Sequence, residues 1–296
     1  MKPASFSYSS PATVDEALAV LAQLGEDGKV LAGGQSLIPI LNMRLSSPAH
    51  LVDINRVAGL DTLDANGWIR VGALARHARV ERDERVRRMC PLLAQALRLV
   101  AHPVIRNRGT VCGALAQADP ASELPATLAL LGGVVEVARA DAPVREIAAA
   151  DFFTGPMESA LEVDELIIAA RFPVVPAGTG TEFTEVSRRR ADYALCGVGA
   201  MVTVDEGEQI TSARAAYVSV NPTPLVIDLT EVLAGARSDT ADFAAAGRLA
   251  RDTVHPKTDL HASADYRREL AAVLTERALA AAAHRAVAGD SGGDGA

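Results

Sequence analysis

The stretch Val30-Leu31-Ala32-Gly33-Gly34-Gln35-Ser36-Leu37 decides the fold, because a short apolar run enters two glycines there and a hydroxyl residue follows. The apolar run predicts a β-strand, and Ser36 is placed to cap a helical turn that begins at Leu37. Glycines have no β-carbon, so they allow backbone N–H groups to face outward at the end of the strand. Such amides in front of a helix form a phosphate site. A plain tight turn between strand and helix has the same sequence pattern, so both interpretations stand at this point.

The elements on either side of this stretch complete a small α/β unit. Thr13-Val14-Asp15-Glu16 predicts a capping box that opens a helix, and Gly25 ends that helix. A second strand is predicted at Leu51-Val52-Asp53-Ile54. This alternation of strand and helix is typical of an α/β unit.

The rest of the chain predicts further strands and helices on both sides of a linker at 173–180, which contains two prolines and two glycines. One buried helical stripe is predicted through Val86, Met89, Leu93, Leu97 and Val100. A second helix opens at Asp119–Glu123 and ends at Gly132. Strands are predicted at 69–73, 134–138, 166–172, 182–187, 197–204 and 213–220, and helices from about 230 to 288. The tail, 289–296, is expected to be disordered.

Composition and charge limit what the chain can be. It has 29 Lys and Arg against 37 Asp and Glu, which gives a net charge of −8. A hydrophobic fraction of 49% excludes a disordered chain, and the acidic balance argues against nucleic acid as the main partner. Cys90, Cys112 and Cys196 form no Cys-x-x-Cys pair, which excludes a disulfide framework and an iron–sulfur or zinc site built on this chain's own cysteines.

The sequence also carries no membrane or export signal. No stretch approaches the ~20 apolar residues that a bilayer-spanning helix needs. The first residues, Met1 to Phe6, lack the apolar core of a signal peptide. We therefore expect a cytoplasmic protein with reduced thiols.

A second glycine loop, Gly109-Thr110-Val111-Cys112-Gly113-Ala114, repeats the pattern of small residues, glycines and a hydroxyl group. Two such loops in one chain can clamp the two phosphates of a dinucleotide from opposite sides. The chain has no Gly-x-Gly-x-x-Gly and no Gly-Lys-Ser/Thr motif, so a nucleotide site here differs from the Rossmann and P-loop geometries.

A third segment, Ser187-Arg188-Arg189-Arg190-Ala191-Asp192-Tyr193-Ala194, has two interpretations. Three adjacent arginines are typical of a solvated face, whereas an aromatic residue beside an Arg/Asp pair suits a flavin ring and its polar edges. The six histidines are scattered, and each is interpreted as a surface or cap residue. No nucleophile elbow is present. The local chemistry therefore indicates a bound nucleotide cofactor and no side-chain catalyst.

Taken together, these segments resemble the FAD-binding (medium) subunit of the molybdenum hydroxylases, a family that includes carbon monoxide dehydrogenase and xanthine dehydrogenase. The resemblance runs from about Phe6 to about Gly235. Each motif is weak by itself, and their order and spacing make the resemblance specific. The landmarks are Ala32-Gly33-Gly34-Gln35-Ser36-Leu37, Leu51-Val52-Asp53-Ile54-Asn55, Arg106-Asn107-Arg108-Gly109-Thr110, Ala118-Asp119-Pro120-Ala121-Ser122-Glu123-Leu124-Pro125, and Ser187-Arg188-Arg189 followed by Asp192-Tyr193-Ala194.

The resemblance implies roles for both glycine loops. The family's first loop holds the FAD pyrophosphate through backbone amides, and its second loop is usually Thr-Ile-Gly-Gly-Asn/Ser. In this chain Cys112 replaces a glycine of the second loop and Ala114 replaces its polar residue. A cysteine does not easily take a positive φ, so either the backbone there differs slightly or the site tolerates the cysteine. We expect FAD binding to be somewhat altered but not abolished.

The resemblance also implies contacts farther along the cofactor. Glu123, with Asp119 as a second candidate, matches the acidic position near the ribityl hydroxyls, and the Arg-rich segment with Tyr193 matches the part that approaches the isoalloxazine. No catalytic or metal-binding residue is implied on this chain. The implied cofactor-binding residues are Ala32, Gly33, Gly34, Gln35, Ser36, Leu37, Thr110, Val111, Cys112, Gly113, Ala114, Asp119, Glu123, Arg188, Asp192 and Tyr193.

The implied fold is α+β, with a two-part FAD-binding domain of the vanillyl-alcohol-oxidase/PCMH type and a C-terminal three-stranded antiparallel sheet with helices. The implied parts are 1–58, a βαβ piece, 59–176, a central α/β piece, and 177–288, the sheet-and-helix domain.

The implied function is electron transfer within a molybdopterin-dependent hydroxylase or dehydrogenase. In that family a large subunit carries molybdopterin and a small subunit carries two [2Fe–2S] clusters, in a dimer of heterotrimers. Electrons pass from these clusters through FAD to an external acceptor. Two alternatives stay open, namely a stand-alone FAD oxidase and a scaffold subunit that has lost FAD. Substrate and electron acceptor are not indicated by the sequence.

Overall fold

The computed structural model describes residues 2–289. Its first part is a three-stranded parallel sheet in the order β1-β3-β2. Parallel neighbours need crossover connections, and a helix follows each of the first two strands. The predicted α/β unit is therefore present. Its elements are β1 (Ser7–Ser9), α1 (Val14–Leu24), β2 (Gly28–Leu31), α2 (Leu37–Met43) and β3 (His50–Asp53).

Helix α1 begins and ends where the sequence predicts. The Thr13 hydroxyl accepts a hydrogen bond from the Glu16 N–H at 3.2 Å, while the Glu16 carboxylate accepts one from the Ala12 N–H at 2.7 Å. The box thus satisfies two free donors at the helix start. Gly25 ends the helix at φ 52°.

The second part is a five-stranded antiparallel sheet in the order β4-β5-β10-β6-β7, with a two-stranded hairpin of β8 and β9 beside it. Its strands are β4 (Leu63–Ala65), β5 (Trp68–Gly72), β6 (Val134–Ala138), β7 (Arg145–Ala148), β8 (Phe153–Gly155), β9 (Glu158–Ser159) and β10 (Leu166–Pro173). Its helices are α3 (His77–Arg82), α4 (Glu84–Met89), α5 (Pro91–Leu99), α6 (Pro103–Arg106), α7 (Val111–Gln117), α8 (Glu123–Leu131) and α9 (Ala149–Phe152).

The helical stripe predicted as continuous from Val86 to Val100 is two helices. Cys90 leaves the helical conformation at φ −143°, and Pro91 starts α5 as its first residue. A proline inside a helix lacks the N–H for the ladder and clashes with the preceding turn, whereas it is tolerated at a helix start. The chain therefore breaks at Cys90 and keeps its apolar residues facing the core.

The third part is an antiparallel sheet of four strands, one more than predicted, in the order β11-β12-β13-β14. The added strand β14 was missed because it is short and follows Asn221-Pro222-Thr223-Pro224, a pattern typical of a loop. The elements are β11 (Thr179–Ser187), β12 (Ala194–Val204), β13 (Ile210–Val218), β14 (Leu225–Asp228), α10 (Thr230–Leu233), α11 (Phe243–Thr253) and α12 (Ala264–Ala288).

Two hydrophobic clusters hold these parts together. One centres on the second sheet and its helices and also includes residues of α1, β3 and the third sheet, and the other lies between the third sheet and helices α11 and α12. Gly180 in β11 lies so close to the backbone of Ala282 in α12 that a β-carbon has no room. Helix α8 is buried along almost its whole length. The predicted disordered tail lies, from residue 290 onward, outside the described residues.

Candidate functional site

The first glycine loop lies at the end of β2, where it contacts the second loop directly. A β-carbon added to Gly33 would lie 2.5 Å from the carbonyl oxygen of Arg108 and 2.9 Å from Cα of Gly109. No side chain fits at that distance. Gly34 has φ +73°, which a residue with a β-carbon rarely adopts. The two glycines therefore serve different ends: one lets the loops meet, and the other turns the chain into α2.

Three successive backbone donors are free in this loop. Within residues 2–289, the amides of Gly34, Gln35 and Ser36 donate to no protein oxygen. The helix begins at Leu37 as predicted, but the Ser36 hydroxyl does not cap it. Ser36 already has helical backbone angles (φ −99°, ψ −49°), and a capping hydroxyl is placed by an extended residue. Free amides at a helix start are the donors that an anionic group requires.

The second glycine loop is the start of helix α7. Thr110 is extended (φ −119°, ψ 145°), and its hydroxyl accepts a hydrogen bond from the Gly113 N–H at 3.1 Å. Val111 and Cys112 point into the core, with 0% and 2% of their surfaces exposed. They contribute no side chain to the space between the loops.

Cys112 does not distort this loop. It is the second residue of α7, it has no positive φ, and its Sγ donates to the Val71 carbonyl oxygen at 3.4 Å. Burial raises the pKa of the thiol to about 12. A helical position needs no left-handed residue, so this geometry agrees with the second possibility, that the site tolerates the cysteine.

The two loops, which meet at Gly33 and Gly109, both line a cavity of about 730 Å³. A second cavity of about 700 Å³ adjoins it and shares the walls Gln35, Ser36, Gln117 and Met157. Nine predicted site residues line the first cavity, and four line the second without touching the first. The nine are Ala32, Gly33, Gly34, Gln35, Ser36, Leu37, Thr110, Gly113 and Ala114. The four are Asp119, Arg188, Asp192 and Tyr193.

The arginine segment at 187–194 lies beside the second cavity and has features of both interpretations. Arg188 lines this cavity and contacts Nδ1 of His261 at 3.0 Å, and Tyr193 stands beside it with 70% of its surface exposed. Arg189 and Arg190 are exposed, and Arg189 pairs with Asp192 at 3.3 Å. Arg188 is exposed as well, so the segment is a solvated face whose first arginine also forms part of the cavity wall.

A buried and a half-buried carboxyl group, those of Glu123 and Glu185, lie beyond the second loop. Glu123, which lines neither cavity, is 8% exposed, and burial with the nearby Glu185 and Asp119 raises its pKa to about 8. Burial raises the pKa of Glu185 to about 7, and its Oε2 has no hydrogen-bond partner. Sequence reasoning missed Glu185, because the sequence pattern of β11 does not distinguish this acid from one that faces water.

Sequence reasoning also missed His77, which was interpreted as a surface or cap residue. Only 5% of it is exposed, it lines the first cavity, and neither ring nitrogen has a hydrogen-bond partner. Burial, with Arg106 and Arg76 nearby, lowers its pKa to about 4, so the ring is neutral at pH 7. Its place five residues beyond β5 in the sequence gave no hint of this burial.

Among the described residues, no group of three or more His, Cys, Asp and Glu side chains is arranged to hold a metal ion. No helix in 2–289 is both long and apolar enough to cross a membrane. What the site offers is a set of free backbone donors in the first loop, beside a large cleft that the start of α7 also lines.

Comparison with known proteins identifies this arrangement. Residues 4–175 match the family described as the FAD binding domain in molybdopterin dehydrogenase, and residues 181–282 match the CO dehydrogenase flavoprotein C-terminal domain. The chain belongs to the FAD-binding medium subunits of the molybdenum hydroxylase family. The resemblance drawn from the sequence and the α+β fold are confirmed.

Curated relatives of this medium subunit span its whole length. The chain is 40% identical to the 6-hydroxypseudooxynicotine dehydrogenase complex subunit alpha of Paenarthrobacter nicotinovorans, over 97% of each chain. It is 38% identical to caffeine dehydrogenase subunit beta of a Pseudomonas species, over 97% of this chain and 98% of the relative. It is 35% identical to the carbon monoxide dehydrogenase medium chain of Afipia carboxidovorans, over 97% and 99%.

Solved structures of the family agree with this fold. Quinoline 2-oxidoreductase from Pseudomonas putida superposes with a TM-score of 0.91 at 37% identity, over 97% of this chain and 99% of that one. Carbon monoxide dehydrogenase from Hydrogenophaga pseudoflava superposes with a TM-score of 0.90 at 34% identity, over 96% and 99%. The medium subunit is accordingly part of a multi-subunit oxidoreductase.

The residues of the cavity fit FAD. A pyrophosphate requires several N–H donors and close backbone approach, which the loop at Gly33 and Gly34 provides. The two adjoining cavities together suit an extended dinucleotide with one end near Ala114 and the other near Tyr193.

Proposed function

We propose that the medium subunit binds FAD across the two adjoining cavities and transfers electrons between a partner subunit and an external acceptor. The two glycine loops would hold the pyrophosphate, and Tyr193 would lie beside the isoalloxazine. Of the two acidic candidates for the ribityl chain, Asp119 lines the second cavity and Glu123 lies behind its wall, so Asp119 would make the contact. The division of the chain at residues 58 and 176 is part of this proposal, since the cofactor then lies between the first two parts.

One observation carries the proposal: the direct contact of the two loops beside the first cavity. Gly33 touches the backbone of Arg108, and free amides of the first loop line the same cavity as the start of α7. Gly34 and Gln35 are half-buried and Ser36 is exposed, so their amides can be hydrated in the open cleft and are available to an anionic group without the loss of a protein hydrogen bond. Anion binding uses them.

The chain's own residues would do three things for the cofactor. The free amides of the first loop would bind the phosphates, the walls near Leu37 and Thr110 would exclude water, and Tyr193 with Arg188 would orient the ring. FAD supplies the redox chemistry, which no protein side chain offers. Neutral His77 adds no charge at pH 7 beside the phosphates.

We propose as partners a large subunit with molybdopterin and a small subunit with two [2Fe–2S] clusters, assembled as a dimer of heterotrimers in the cytoplasm. The names of the relatives support a multi-subunit enzyme. Ile38, Met43 and Leu45 support a docking surface beside the second cavity, since they are 38%, 51% and 73% exposed. Three buried, unpaired cysteines suit a reducing compartment.

A visible spectrum of the purified full chain tests the cofactor, with the released compound identified by mass. We expect flavin bands near ~375 and ~450 nm and one FAD per chain. A folded, colourless chain that does not take up added FAD would overturn the proposal and favour the scaffold alternative.

Co-purification tests the role as a subunit. We expect a tagged chain, expressed with its genomic neighbours, to carry along an iron–sulfur protein and a molybdopterin protein. A flavin-loaded chain that stays alone and reduces oxygen with a substrate of its own would favour the stand-alone oxidase.

A further inference from the structure

A chain of hydrogen bonds joins the backs of the two glycine loops. The guanidinium of Arg76 donates through Nη1 to the Arg108 carbonyl oxygen at 2.7 Å and through Nη2 to Oδ1 of Asn55 at 2.6 Å. Asn55 in turn donates through Nδ2 to the Ala32 carbonyl oxygen at 2.8 Å. One end of this path lies in the second loop and the other at the entry of the first loop.

Asn55 is held in the one orientation that completes this path. Its Nδ2 also donates to Oδ1 of Asp53 at 2.6 Å, and the same Oδ1 accepts from the Asn55 N–H at 2.9 Å. Tyr8 donates to the other oxygen of Asp53 at 2.6 Å. A flipped amide would place its oxygen against a carboxylate and a carbonyl group, so the network selects this orientation.

Arg76 is fixed to the second loop by its backbone as well. The adjacent His77 N–H donates to the Gly109 carbonyl oxygen at 2.9 Å, and Arg76 pairs with Thr110 as an isolated antiparallel bridge. The guanidinium is half-buried. The backbone of Arg76 therefore moves with the second loop, and the hydrogen bonds of its side chain connect it to the first loop through Asn55.

We infer that Arg76 and Asn55 are positioning residues that fix the spacing of the two glycine loops and thereby set the affinity for the FAD pyrophosphate. The inference rests on the proposed function, because it assumes that the space between the loops is the pyrophosphate site. The contact of Gly33 with Arg108 limits how closely the loops approach. The Arg76–Asn55 bridge limits how far they separate.

FAD titration of the flavin-free full chain tests this inference through the quenching of flavin fluorescence. We expect Arg76→Ala and Asn55→Ala each to raise the FAD dissociation constant about 10- to 100-fold, as the loss of charge-assisted hydrogen bonds predicts. Because both substitutions break the same bridge, the double variant should lose about as much as one of them alone. If the double variant instead raises the FAD dissociation constant by the product of the two single effects, the inference is overturned.

Two further variants separate the bridge from simple charge and from general stability. Arg76→Lys keeps the charge but reaches only one of the two acceptors, so we expect an intermediate loss; wild-type affinity would mean that Arg76 acts only as a charge. Arg82→Ala removes an exposed arginine from the same helix α3 and should leave the affinity unchanged. An Arg76→Ala chain whose melting temperature falls in step with its affinity would also contradict the inference.

Hydrogen exchange of the flavin-free chain tests the bridge without reference to FAD. The Ile38 and His77 amides, which donate to the carbonyl oxygens of Gly34 and Gly109, should exchange faster in Arg76→Lys and Asn55→Ala than in wild type, and at the wild-type rate in Arg82→Ala. Unchanged exchange in both bridge variants would overturn the inference. A wild-type chain that binds no FAD but shows this pattern would overturn the proposed function and leave the bridge in place.

Discussion

The two glycine loops look alike in sequence but are built in different ways. The first loop needs its glycines, since Gly33 touches the Arg108 backbone and Gly34 has a positive φ. The second loop is an ordinary helix start, in which Thr110 caps Gly113 and Cys112 faces the core. A departure from a family motif should therefore change cofactor binding only where the substituted side chain points into the site. Cys112 lies in a motif but not in the site.

The largest difference is expected for alanine at one glycine of each loop. Gly33→Ala should lower FAD affinity more than 100-fold, because its β-carbon would lie 2.5 Å from a backbone oxygen that cannot rotate away. Gly113→Ala should cost no more than about tenfold, because its β-carbon meets the Thr110 hydroxyl, a group that can turn. Flavin content of the purified variants, read near ~450 nm, measures both. Equal losses would remove the distinction between the loops.

The helix cap of the second loop should have a moderate effect. Thr110→Val removes the acceptor for the Gly113 N–H and should lower stability by about 1 kcal/mol, with a several-fold loss of FAD affinity. Thr13→Val removes the same kind of cap from α1, away from both cavities, and serves as the matched control. We expect similar falls in melting temperature and a change of affinity only in Thr110→Val. A parallel loss of affinity in the control would show that stability alone matters.

Glu123 and Glu185, the acids beyond the second loop, should make the stability of the protein depend on pH, whereas the first loop contains no titratable group. The unfolded chain releases the protons of Glu123 and Glu185 near pH 4.5, whereas folding raises their pKa values to about 8 and about 7. The unfolded state thus binds fewer of these protons between these values, which lowers stability as pH rises. His77 acts in the opposite direction below its ordinary pKa of 6.5, because folding lowers its pKa to about 4. Stability should therefore fall most clearly as pH rises from about 6.5 to 8.

Thermal unfolding across that pH range measures this effect. Glu123→Gln should flatten the profile, and Glu206→Gln, at an exposed turn residue, should leave it unchanged. A melting temperature that rises through this range in wild type would contradict the burial of two protonated acids.

The smallest effect on FAD is expected at Cys112. Cys112→Gly restores the glycine of the family motif, yet affinity should stay within about twofold, because the side chain lies behind the loop. Stability should fall by about 1 kcal/mol, since glycine weakens a helix interior. Flavin titration and thermal unfolding check the two parts. A large gain in affinity would revive the idea that this residue impairs the site.

Most of the local structure follows from local signals. The cap at Thr13 and the stops at Gly25 and Gly132 act within a few residues, so the sequence predicts these helix bounds. The helix that Thr110 caps was not predicted, because its glycine and small residues indicate a loop. Strand β14 was missed because its preceding prolines favour a loop and its apolar run is short. The break at Cys90 was missed because the apolar periodicity passes through it without a change.

The sequence by itself determined the family, the two glycine loops and the absence of a cluster built on this chain's own cysteines. These depend on residue types at fixed short spacings. Only the tertiary structure decided that Gly33 meets Arg108, that Arg76 and Asn55 bridge the loops, and that Cys112 turns away from the cavity. Each of these facts joins segments that are 20 to 75 residues apart, roughly, and such pairings arise when sheets and helices pack around a shared core. No local pattern encodes which backbone oxygen will face a glycine.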